Sequence, residues 1–166
     1  NLSNIDKKTD AVEVIQQNVN GFSTDFTRIV EENSSAVPTI LTETTTATGF
    51  VYRQEGDTVY IVTAYHAIAD AVRINVLFGT TYRCDATLLG YDIFADLAVL
   101  RIETPYQIPV LKTGDATQLK RGEYVILIGT PLSAEYSGSV RTGMVASKLL
   151  SIGNSITVEE ENHDYW

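Results

Sequence analysis

The stretch Thr58-Val59-Tyr60-Ile61-Val62-Thr63-Ala64-Tyr65-His66 decides how this chain is read. Its first six residues are β-branched or aromatic, the types that fill a pleated, partly buried strand. Gly56-Asp57 just before it supplies a turn. A histidine then stands where the strand ends, with its ring at the rim of whatever sheet the strand joins.

The same texture extends to both sides. Upstream lie Ala36-Val37-Pro38-Thr39-Ile40-Leu41 and Gly49-Phe50-Val51-Tyr52. Downstream, strand-like runs cover Arg73 to Phe78, Thr81 to Leu89, Ala95 to Ile102, Tyr124 to Ile128 and Ser139 to Ser147, with a weaker one at Ser155 to Val158. Short strands at close spacing, without helical patterns between them, predict an all-β sandwich or barrel. Only the N-terminal part differs. Between Lys7 and Glu32, Val12, Ile15 and Val19, then Phe22, Phe26, Ile29 and Val30, recur at helical spacing. Gly21 interrupts the pattern and Ser23-Thr24-Asp25 offers an N-cap, so two short helices are expected. Their narrow apolar stripe must pack on the domain behind or on another subunit.

Two histidines occur. His163 lies in the acidic tail Glu159 to Asp164 and reads as a loop residue. His66 gains meaning from Asp96, 30 residues on, which opens the otherwise apolar run Asp96-Leu97-Ala98-Val99-Leu100. A carboxylate buried there is costly unless hydrogen bonds hold it, and a strand-end histidine is a fitting partner. Chemistry asks for the same pair. A serine hydroxyl is a weak nucleophile until an imidazole takes its proton. The imidazole in turn needs a carboxylate to fix its tautomer and to stabilise the imidazolium. His66 and Asp96 are therefore the candidate catalytic residues, as base and orienter.

These segments resemble the HtrA/DegP branch of the trypsin-like serine peptidases. Thr63-Ala64-Tyr65-His66 resembles the Thr-x-x-His around the family's catalytic histidine, and Asp96-Leu97-Ala98-Val99-Leu100 resembles the segment holding its aspartate. Thr48-Gly49-Phe50, Ile128-Gly129-Thr130-Pro131-Leu132 and Ser139 to Ser147 resemble three further segments, in the family's order. Ala64 and Thr130 depart from it, each standing where the branch usually has Asn. The single cysteine, Cys84, also fits this branch better than digestive trypsins, which rely on disulfides.

The resemblance implies a double β-barrel behind an N-terminal α-helical extension. Residues 1–34 form the extension and 35–166 the peptidase domain. The first barrel runs from about Ala36 to Val110, and the second begins near Gly122. It also implies a serine endopeptidase of protein quality control, polypeptide substrates, a homo-oligomer (a trimer by family habit) and an extracytoplasmic site, periplasmic or at the cell surface. The alternative is a non-catalytic barrel that binds peptides or assists assembly.

The family's nucleophile lies in Gly-Asn-Ser-Gly-Gly. Gly153-Asn154-Ser155 continues as Ile156-Thr157-Val158, without the glycines that let backbone N–H groups form an oxyanion hole. Ser155 is therefore read as a turn residue. The serine is expected beyond Trp166, the second barrel is expected to be truncated, and the chain alone is expected to be inactive. Asn1 suggests a processed or trimmed product.

Composition narrows the rest. The 166 residues suit one compact domain, with 44% hydrophobic and 20% charged residues. A net charge of −9, from 12 basic and 21 acidic residues, argues against nucleic acid or anionic lipid as partner. No apolar run is long enough to span a membrane. One cysteine excludes an intrachain disulfide and a multi-cysteine zinc site, and it reads as a small buried hydrophobe. No metal or organic cofactor is implied.

Overall fold

The computed structural model describes residues 26–130 and 138–146. A helix, α1, covers 26–33. Its last turn is closed by the Asn33 side chain donating to the Ile29 carbonyl (2.7 Å) and by the Ser34 hydroxyl donating to Val30 (2.6 Å). Such side-chain bonds satisfy carbonyls that have no partner further along the helix. The earlier helical piece, and the Ser23-Thr24-Asp25 cap expected for the second, lie outside the described residues. So do Ser155 and His163.

Six strands follow: β1 (Thr39–Leu41), β2 (Thr46–Glu55), β3 (Thr58–Ala64), β4 (Ile74–Phe78), β5 (Tyr82–Asp92) and β6 (Leu97–Glu103). They close into an antiparallel barrel in the order β1-β2-β3-β6-β5-β4. Alternation does the work. Along β3, Val59, Ile61 and Thr63 point inward, and along β6, Ala98, Leu100 and Ile102 do. With Ile40, Val51 and Val76 these side chains fill the lumen, as a small barrel requires. The β2–β3 hairpin turns on Gly56-Asp57, with Gly56 at φ +59°, where a residue without a Cβ is strongly favoured. Irregular pairing at Val51/Arg53 in β2 and at Leu88/Gly90 in β5 marks bulges that bend the long strands round the closure.

Two more strands, β7 (Tyr124–Gly129) and β8 (Ser139–Met144), pair antiparallel as a separate sheet. Tyr124, Leu127 and Met144 on it are exposed. The fold class is thus the expected one: a closed barrel, strands of a second sheet and a short N-terminal helix. Cys84 on β5 is half-buried and packs against the core.

Candidate active site

Pairing between β3 and β6 builds the site. Their antiparallel register sets Ala64 opposite Leu97, so the residues just after β3 and just before β6 emerge side by side at one rim. A short 3-10 turn, Tyr65–Ala67, takes over where β3 ends. Ala67 and Ile68 are buried beneath it and pin it to the barrel. Opposite, the 92–96 segment is tightly turned. Asp92 Oδ1 accepts from the Ala95 N–H (2.9 Å), and the Asp96 N–H bonds the Ile93 carbonyl (3.3 Å). Asp96 itself has φ +53°, a left-handed conformation that Asp tolerates better than most residues.

Asp96 meets His66 twice. The His66 backbone N–H donates to Oδ1 (2.8 Å), and Nδ1 of the ring lies 2.6 Å from Oδ2. The Tyr65 N–H adds a bond to the Asp96 carbonyl (3.1 Å). The backbone hydrogen bond from His66, then the ring bond, lower the Asp96 carboxyl below its ordinary value. A carboxylate on Nδ1 places the ring proton there and leaves Nε2 as the accepting nitrogen. The His66 side chain is 76% exposed, so its ring is open to an incoming group.

One expectation is corrected. The apolar run after Asp96 suggested a buried carboxylate, yet its side chain is 46% exposed. Asp96 precedes the strand, and its left-handed turn sets the carboxylate at the rim, clear of the lumen. The sequence also did not single out Tyr65 and Tyr91. Their rings stack at 4.3 Å and 13°, and Tyr65 directly precedes His66 in the chain. A tyrosine next to a strand-end histidine was the only signal.

A groove of about 430 Å³ runs from Asp96 along the barrel mouth to β7, lined by Thr48, Phe50, Thr63, Asp96, Leu97 and Ile128 among others. Among the described residues no three His, Cys, Asp or Glu side chains gather as a metal site would need. No described helix is long and apolar enough to cross a membrane.

A closed barrel with an imidazole–carboxylate pair at its rim is an architecture seen in peptidases, and sequence comparison defines the class. Residues 47–164 match the trypsin-like peptidase domain. The chain belongs to that family. It is 30% identical over 148 residues to the Serine protease Do-like HtrA of Lactococcus lactis subsp. lactis, which is 88% of this chain and 35% of the relative. It is 36% identical over 98 residues to the Serine protease Do-like HtrB of Bacillus subtilis, 59% of this chain and 21% of the relative. A probable periplasmic serine endoprotease DegP-like of Hahella chejuensis is 38% identical over 109 residues, 66% of this chain and 22% of that protein. The domain is therefore of the HtrA type. It spans about a third or less of the length of these relatives.

Proposed function

We propose that this chain supplies the general base, His66, and the orienting carboxylate, Asp96, of a Ser-His-Asp triad in an HtrA-type serine endopeptidase. The observation that carries the reading is the double hold of Asp96 on His66, at 2.8 Å to the backbone N–H and 2.6 Å to Nδ1. Nε2 takes the proton of the serine hydroxyl as its oxygen attacks the scissile carbonyl. Asp96 stabilises the imidazolium so formed, and Nε2 then protonates the departing amine. The substrates are polypeptides, and the extracytoplasmic setting follows relatives named periplasmic.

The nucleophile is assigned to no serine of these 166 residues, because none stands in Gly-Asn-Ser-Gly-Gly. The chain alone is proposed to be inactive. A fluorophore-labelled unfolded polypeptide, offered to this chain and to a longer protein in which it is joined to a Gly-Asn-Ser-Gly-Gly segment of the family, tests this. Turnover is expected only from the longer protein, where His66→Ala or Asp96→Asn lowers kcat by about 10⁴. Either variant within tenfold of the parent overturns the triad. Turnover by the short chain that Ser155→Ala abolishes overturns the nucleophile assignment.

A further inference from the structure

We propose that Thr130 is a positioning residue, the centre of a hydroxyl latch that fixes the β7–β8 sheet against the barrel mouth bearing His66. The purpose given to the latch rests on the triad reading above; its existence as a mechanical link does not.

Among the described residues, the buried polar side chains are Thr39, Thr63, Thr104 and Thr130. Three of these meet at one place. Thr39 and Thr130 are 0% and 6% exposed, and their hydroxyls lie 2.7 Å apart across 91 residues of chain. The Thr130 N–H donates to Thr48 Oγ1 (2.8 Å). Thr48 is the cross-strand partner of Thr39, so Thr130 docks on two neighbours of the same sheet at once. The Thr63 hydroxyl in turn donates to the Thr48 carbonyl (2.9 Å), tying the dock to β3, three residues before His66.

Gly129 is part of the device. A Cβ there would lie 2.9 Å from Thr48 Oγ1, so only glycine lets β7 approach closely enough for the next residue to bond. The chemistry of the link explains its use. Apolar contacts tolerate sliding, whereas a buried hydroxyl that loses its partner is left unsatisfied, so a hydrogen-bonded contact fixes one position. A triad divided between two sheets depends on such a position, since displacement of about 1 Å can cost on the order of 100-fold in rate.

Thr130→Val removes the hydroxyl and keeps the shape. In the 166-residue chain, hydrogen exchange of the β7 amides is expected to quicken tenfold or more, while β3 and β6 amides stay within twofold. Thr130→Ser restores wild-type exchange. β7 exchange within twofold of wild type in Thr130→Val overturns the latch, as does an equal rise throughout the barrel. No turnover is needed for this readout, so its failure leaves the triad assignment standing. In a longer protein that carries the family's nucleophile segment, Thr130→Val should lower kcat about tenfold with KM within twofold, and Thr130→Ser should recover it. An unchanged kcat beside a loosened β7 overturns the positioning role.

Discussion

Asp96 grips His66 through both carboxylate oxygens, one on the backbone N–H and one on the ring. Backbone and ring are thereby fixed together, which a single bond to the imidazole would not achieve. The grip sets a pH dependence. Hydrogen bonds from His66 depress the folded-state pKa of Asp96 below the unfolded value of about 3.9. The stabilisation is therefore complete above that unfolded value and disappears as pH falls through the folded one. Asp96→Asn keeps the shape and tolerates the left-handed backbone, but it accepts through one oxygen only. Urea midpoints should show wild type ahead of Asp96→Asn at pH values above the ordinary carboxylate range, with the gap closing as the pH is lowered below that range. A gap that widens on acidification would sink this account.

The fold class was legible in the succession of short strand-like runs, and the meeting of His66 with Asp96 was legible only by way of strand ends. His66 followed one strand-like run and Asp96 stood near the start of another, Ala95 to Ile102, so the two come together if those strands pair, and β3 and β6 do. Closure was less visible, because β1 pairs with β4 across two intervening strands and neither run names its neighbour. The bulges at Tyr52 and Leu89 left no mark beyond ordinary strand composition. Asp96 misled for a physical reason: an apolar run after a carboxylate gives no sign that the backbone turns left-handed and lifts the group to the rim. Thr48 and Thr130 stood in family-like segments, yet nothing in the sequence linked them to Thr39 or to each other, since a hydroxyl network exists only once distant segments touch.

Tyr65 and Tyr91 stack face to face beside the dyad. Tyr91 lies on β5 and Tyr65 in the turn that holds His66, so the stack braces that turn from the neighbouring strand. A double-mutant cycle of Tyr65→Ala and Tyr91→Ala, read by thermal unfolding, should return a coupling of about 0.5–1.5 kcal/mol. Additive single effects would show that the rings merely lie near one another.

Helix α1 reaches the second sheet through Phe26, whose ring meets Tyr124 of β7 edge-on at 6.4 Å and 75°. The helical stripe thus finds at least part of its partner within the chain. Phe26→Leu keeps the apolar bulk and loses the aromatic edge. Its cycle with Tyr124→Leu should give a coupling of about 0.5–1 kcal/mol. Light scattering with and without residues 1–34 separates this internal role from assembly: an unchanged number of chains per particle assigns the stripe to the fold, and a fall in that number assigns it to subunit contact.

Gly49 stands in a segment whose glycine has a steric cause. A Cβ at this position would lie 2.8 Å from Ile61 Cγ2 and 2.9 Å from Ile40 Cδ1. Both isoleucines are buried in the lumen, so neither can swing aside as a surface chain would. Two effects of Gly49→Ala oppose each other. Alanine restricts the unfolded chain and gains about 0.4–1 kcal/mol, while overpacking of a filled core costs about 1–3 kcal/mol. Overpacking should win, and Gly49→Ala should lower the urea midpoint. Gly90 on β5 provides the contrast, because a Cβ there meets nothing within 4 Å. Gly90→Ala should be neutral or stabilising through the unfolded-state effect alone. If both variants unfold at the same urea concentration, the close approach of β2 to Ile40 and Ile61 is not what keeps a glycine at position 49.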